Sequence, residues 1–307
     1  MHQFLGSIQA VGVMVILIAI GYLLSVRGKI DGRISDFLSW FVIHVTMPCY
    51  MITNIASTFT STDIALIPKA TLLPLITILI GYAAGFLLVR LFRIESKRAG
   101  TFIVLTAQNN TIFMGLPINL ALFGADSTPF VLYYYMANTI LFWTLGIFCI
   151  SGGGNRSAKE VIKRVFTPPL LGLFIGIILA AAEIQLPTVI RDVCLKLGSM
   201  TTGLSMIFVG CVLGRSGLRN IRFNLDILLG HVARFIVGPA ISLCVFLIVP
   251  MPQLMRNVFI IQSFMPVMAN HVIVAEQYGA DSEYASIMVS LSTLFSLLIL
   301  PIVRIFL

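Results

Sequence analysis

At 307 residues, with 58% hydrophobic and only 10% charged side chains, the chain departs from soluble globular proteins, in which about a quarter of residues are charged. The composition excludes a water-soluble enzyme and describes a polytopic α-helical membrane protein. A net charge of +8 does not mark a nucleic-acid binder here, because the basic residues fall in short loops between apolar runs, and the five cysteines (Cys49, Cys149, Cys194, Cys211, Cys244) show no CxxC or metal-ligand spacing.

Residues 1–7 are short and carry no basic n-region, so the first apolar run reads as a retained span rather than a cleaved signal. Ten spans are predicted, at about 8–26, 34–57, 66–90, 98–123, 128–150, 168–184, 188–213, 224–249, 254–277 and 283–306. They divide the chain into a first five-helix half (1–150), a linker (151–167) loosened by Gly152, Gly153 and Gly154, and a second five-helix half (168–307). Five is odd, so the second half enters the membrane inverted relative to the first. The loops after spans one, three, five and seven hold fourteen of the twenty Lys and Arg residues. Those loops are therefore expected on the cytoplasmic side and both termini outside. The loop after span nine breaks this pattern, with Glu276, Asp281 and Glu283.

Span four contains Gln108-Asn109-Asn110-Thr111-Ile112-Phe113-Met114-Gly115-Leu116-Pro117 at mid-depth. Amides, glycine and proline there predict an interrupted helix, tolerable only where protein or a watery cavity surrounds the unpaired backbone. Such gaps hold the substrate in many carriers. Span nine carries a second break, Ser263-Phe264-Met265-Pro266-Val267-Met268-Ala269-Asn270-His271, and a shift of 155 residues lays it on the first. The same shift superposes Phe123-Gly124-Ala125-Asp126-Ser127 on Tyr278-Gly279-Ala280-Asp281-Ser282.

Asn109, Asn110 and Thr111 stand where a half-helix restarts, and free N–H groups at a helix N-terminus favour an anion. Asn270 and His271 offer the same on span nine. A structural role as polar glue between helices is the other reading; matching breaks in both halves favour a site. Gln108 and Ser263 flank the two breaks as further ligand candidates, and Met114 and Met268 stand beside them. His271 either titrates or sits neutral against a carbonyl. Neither break contains Asp or Glu, so a sodium ion there would meet only neutral oxygens.

Arg234, deep in span eight, either draws an anion inward or holds backbone carbonyls. Asp63 with Lys69 at the outer end of span three, and Glu276, are candidates for a charge or gating role. His44 ahead of Pro48 reads as a kink with a satisfied histidine. Tyr133, Tyr134 and Tyr135 are expected in an interfacial aromatic belt. The four histidines lie in different segments, and neither HExxH nor GxSxG occurs. Catalysis, a metal and a cofactor are accordingly not expected.

Asn110 to Pro117 resembles the NT-x-x-MG-x-P stretch of the auxin efflux carrier family. Arg234 to Ala240 is similar to that family's RF-x-x-GPA, and Pro266 to Tyr278 with Leu300-Pro301-Ile302 to its last two spans. The resemblance implies an all-α fold of ten spans in two inverted five-helix repeats, shared with bile acid sodium symporters. Broken helices four and nine cross at the midplane, and a transport domain moves against a scaffold in elevator-type alternating access. It further implies that Asn110 contacts a substrate carboxylate, that Pro117 and Pro266 open the helices, and that the protein is a homodimer among membrane lipids. Asn270-His271 stands where plant members have an apolar residue and a proline, Glu276 where they have lysine, and the long cytoplasmic loop is absent. A small carboxylate such as malate or malonate is thereby expected over an auxin-like acid, carried across a bacterial inner membrane. The alternatives are a sodium-coupled symporter of a bulkier, bile acid-like anion and a membrane sensor that binds without transport.

Overall fold

The computed structural model describes residues 2–58, 61–152, 166–215, 224–268 and 270–307; the side chains of 2–11, 58, 61–66, 270 and 305 lie outside that description. Every regular element among the described residues is helical. In chain order these are α1 (His2–Val26), α2 (residues 32–58), α3 (Ser61–Phe92), α4 (Ser96–Ala107), α5 (residues 111–123), α6 (residues 125–150), α7 (Pro168–Ala181), α8 (Thr188–Arg215), α9 (residues 225–248), α10 (Gln253–Ser263), α11 (Asn270–Gln277) and α12 (Ser282–Ile305). Six stretches are both long and apolar enough to cross a membrane: Gly32–Ser57, Ile67–Phe92, Ala125–Ile150, Thr188–Arg215, Leu225–Ile248 and Ser282–Arg304. Four helices differ from the predicted spans by three residues or more: α1, α3 and α6 begin earlier, at His2, Ser61 and Ala125, and α7 ends earlier, at Ala181.

The helical ladder widens to i→i+5 bonding at Val42–Thr46, Thr111–Gly115, Phe142–Gly146 and Ala233–Val237. Such π-turns bend a helix and are common at functional sites. The first lies just ahead of Pro48 and contains His44, whose Nδ1 meets the Trp40 carbonyl at 3.0 Å. That is the kink with a satisfied histidine which the sequence predicts.

Glycines mark where helix backbones touch, since any side chain would hold them apart. A Cβ on Gly210 would fall on the Ile18 carbonyl oxygen, joining α8 to α1, and one on Gly172 would lie 2.8 Å from Pro48 Cα, joining α7 to α2. On the other side of the molecule, Gly81 brings α3 to Ala107 of α4, and Gly238 brings α9 to the Thr106 carbonyl, each at 3.0 Å. Among the described glycines these close approaches stay within one of two sets. The first comprises α1, α2, α7 and α8; the second comprises α3 to α6 and α9 to α12. Within the second set α4, α6 and α10 are enclosed, with Phe102, Leu105, Val131, Leu132, Val258 and Phe259 fully buried.

Gly124 and Gly279, related by the 155-residue shift, both adopt positive φ (76° and 68°) at the ends of α5 and α11. Only glycine enters that region without strain, so the repeated motif sets a glycine where each of the two helices ends.

The acidic loop before α12, an exception to the charge pattern, has a partner. Asp281 caps α12 by accepting from the Tyr284 amide at 2.8 Å, and receives Arg98 Nε of α4 at 2.7 Å. Arg98 Nη1 reaches Asp226 of α9 at 3.0 Å. Burial alone would raise the Asp281 carboxyl, but the Tyr284 amide and Arg98 outweigh it and hold it below its ordinary 3.8. A depressed native pKa stabilises the fold above the unfolded value, and that contribution disappears as pH falls through the native one. Asp281→Asn should therefore melt a few degrees below the parent at pH 7, with the gap narrowing as pH falls below 3.8 and through the depressed native value. Melting curves of both proteins from pH 7 downwards measure it, and a gap that does not narrow at all below 3.8 would count against the carboxylate.

Candidate functional site

Both predicted breaks are real gaps in the helices, and they meet. Residues 108–110 separate α4 from α5, and residues 264–268 interrupt the chain between α10 and α11. The Asn110 N–H donates to the Pro266 carbonyl at 2.8 Å, so each gap satisfies an unpaired backbone group of the other. Asn110 then starts α5: its Oδ1 accepts from the Phe113 amide at 3.2 Å as an N-cap. The Asn110 Nδ2 group has no partner among the described residues, and Asn110 lines a cavity.

Asn109 tightens the crossing. Its Nδ2 donates to the Gln262 carbonyl at 2.7 Å and to Tyr134 Oη at 2.8 Å, and its backbone carbonyl and N–H both pair with the side chain of Asn138 (3.1 and 3.2 Å). Gln108 is buried. With its amide oxygen accepting from Tyr82 Oη at 3.2 Å and the Phe142 N–H at 3.3 Å, its nitrogen stands 2.6 Å from Asn138 Oδ1. Gly115 lets Gln262 in, since a Cβ there would collide with that side-chain amide. Pro266 lies in its gap, whereas Pro117 lies past the gap, in the first α-turn after the π-turn of α5. A missing N–H is tolerated there. Asn119 Nδ2 serves the Gly115 carbonyl at 2.7 Å.

The cavity, of about 90 Å³, is lined by Asn110, Thr111, Tyr135, Asn138, Thr139 and Thr167 together with apolar Ile43, Ile112, Phe113, Phe142, Trp143, Pro169 and Met268. Ile43, Thr167 and Pro169 come from the α1, α2, α7, α8 side of the molecule and the rest from the other. The cavity thus sits on the boundary between the two sets, beside Thr167 at the start of α7. Its polar groups are neutral donors and acceptors on an apolar wall. Such a surface can orient a small polar solute through amides and hydroxyls.

Other candidates fall in different places. Arg234 is 1% exposed, and its guanidinium donates to the carbonyls of Leu105 and Gln108 at 3.2 Å each and to that of Ser263. Of the two readings open in the sequence, backbone contact is the observed one. Ser263 turns its hydroxyl to Ile260 O at 2.7 Å, inside its own helix. His271 is fully buried with its ring edge on Phe142, 5.9 Å between centroids. Neither of its nitrogens has a partner among the described residues, so the carbonyl-bound histidine is corrected. Met268 lines the cavity and Met114 is core. Glu276 is exposed near the end of α11. The side chains of Asn270 and Asp63 lie outside the described residues.

The aromatic belt is also corrected. Tyr133, Tyr134 and Tyr135 are all buried, because α6 is surrounded by protein. Tyr134 reaches the crossing, and Tyr135 Oη pairs with Thr167 Oγ1 at 2.8 Å. Sequence reasoning missed Asn138, Thr139, Tyr134 and Gln262. The available signal was Asn138 itself, an amide in the middle of an apolar span.

Residues 7–304 match the family described as membrane transport protein. The chain is similar to an uncharacterized transporter of Methanothermobacter thermautotrophicus, 25% identical over 303 residues that cover 97% of this chain and 98% of that protein. It is also similar to the uncharacterized transporter MJ1031 of Methanocaldococcus jannaschii, 25% identical over 301 residues covering 94% and 95% of the two chains.

Proposed function

The chain belongs to the membrane transport protein family, the auxin efflux carrier family of the sequence resemblance, and from this premise we propose that it is a secondary carrier of a small organic anion rather than an enzyme. The reading takes the helices as ten spans in two inverted repeats, 1–150 and 168–307, in a cell inner membrane with both termini outside. The interrupted helices cross at the midplane. The observation that carries it is the Asn110 N–H bond to the Pro266 carbonyl, which joins the two helix gaps, with Asn110 from one and Met268 from the other lining the cavity.

In this mechanism a carboxylate enters past Thr167 and meets Asn110 Nδ2, the Thr111 and Thr139 hydroxyls and the amide of Asn138. The positive end of the α5 dipole adds to the attraction. Among the described residues no lysine or arginine lines the cavity, and those that do offer the anion neutral donors, which release it without breaking an ion pair. The α3–α6 and α9–α12 body then shifts against the other four helices and exposes the ligand on the far side. A cavity of about 90 Å³ is small beside the several hundred Å³ of sites for drug-sized ligands, which favours a compact acid over a bile acid-like one.

Counterflow tests this. Proteoliposomes loaded with unlabelled malonate or malate should accumulate the labelled acid from outside, saturably and above protein-free vesicles, while indole-3-acetate competes poorly. Absence of counterflow with every small mono- and dicarboxylate tried would remove the reading.

A further inference from the structure

Arg234 is a buried charge with unusual partners. Its π-turn in α9 is carried towards the crossing by Gly238, and no carboxylate pairs with it among the described ion pairs. A lone guanidinium at that depth costs several kcal/mol unless something of opposite sign replaces water. The replacement is visible. Leu105 and Gln108 belong to the C-terminal end of α4, Ser263 ends α10, and all three carbonyls converge on the guanidinium. Each helix end carries about half a negative charge, so the two together offset about one positive charge.

Around this point lies a polar hollow of about 10 Å³, lined by Thr77, Thr106, Asn109, Tyr134, Ser242 and Ser263 among others and sharing no lining residue with the ligand cavity. Asn109 is 1% exposed, and its Oδ1 has no partner among the described residues. Two facing helix C-termini, loose carbonyls and an orphan amide oxygen form the donor set with which discontinuous helices coordinate a monovalent cation. Here a side chain already occupies it.

We propose that the Arg234 guanidinium is a resident cation, filling at the crossing of the two interrupted helices the place a dissociable monovalent cation would otherwise have to take. The inference rests on the carrier reading for its consequence, transport without added sodium, but not for its test. Removing the guanidinium leaves about one negative charge's worth of helix dipole unopposed, and the hollow becomes a vacant cation site.

The test is thermal melting of purified protein in sodium chloride, choline chloride, and choline chloride with about 10 mM guanidinium. The parent should melt at the same temperature in all three. Arg234→Ala should melt lower in choline and recover several degrees with either sodium or guanidinium, as expected when a ligand binds only the folded state. Should the alanine variant not accumulate, Arg234→Lys and Arg234→Gln decide. The lysine variant should be insensitive to sodium, and the glutamine variant should gain from it. An alanine variant indifferent to both cations, rescue by guanidinium but not sodium, or lysine and glutamine variants alike in both salts would overturn the proposal. Melting requires no substrate, so failed counterflow in the parent is a separate result.

Discussion

Asn110→Ala should lower carboxylate counterflow about 10- to 100-fold, the loss expected when one hydrogen bond to a charged ligand worth about 1.5–3 kcal/mol is removed. The same side chain also caps α5 through the Phe113 amide at 3.2 Å, so the alanine variant should melt a few degrees lower as well, from a cap worth about 1 kcal/mol. The two roles can be separated. Asn110→Asp retains an acceptor for the Phe113 amide and so keeps the cap, but faces the cavity with a negative charge and no N–H donors. Its melting temperature should stay near the parent's while counterflow falls at least as far as in Asn110→Ala. Equal transport by parent and aspartate variant would show that Asn110 only builds the helix.

Gly210→Leu should prevent the protein from reaching its folded form in detergent. A Cβ at this position falls on the Ile18 carbonyl oxygen, and Tyr22 N lies 2.7 Å away, so α8 and α1 must separate along their contact. Forcing extra atoms into a packed contact costs about 1–3 kcal/mol when the surroundings can adjust. Two helix backbones in direct contact have little room to do so. The internal control is Gly203→Ala on the same helix, where a Cβ meets nothing within 4 Å. That variant should melt within about a degree or two of the parent, since surface changes away from special features fall within about 0.5 kcal/mol. A monodisperse size-exclusion peak for Gly210→Leu at the parent's position and melting temperature would show that this approach does not hold the two helices.

The gaps were legible because polar residues and prolines in the middle of a membrane-length apolar run have few structural explanations. The matched motifs around Gly124 and Gly279 have a local counterpart in the fold, since both glycines adopt a positive φ that restricts such positions to glycine. The rest of the site was hidden for physical reasons. Asn138 sits in an apolar span where one amide reads as ordinary inter-helix glue, and periodicity cannot say which face of α6 meets the crossing. Three consecutive tyrosines point in directions about 100° apart on a helix, and the sequence expectation of an aromatic belt fails because the first half of α6 is enclosed by protein, which buries all three. Arg234 could be recognised as costly, but its partners are backbone carbonyls, which no residue letter records. Asp281 and Arg98 are 183 positions apart, so their pairing explains the acidic loop only once the chain is folded.

The distribution of glycines has a kinetic corollary. Backbones locked together inside each group of helices resist shearing, because any slide drives peptide groups into one another. Between the groups no such interlock occurs among the described glycines. Replacements buried within a group should therefore be read in yield and melting, while replacements along the division, Ile43 or Pro169 for example, should change how fast cargo crosses while leaving the protein as durable as before.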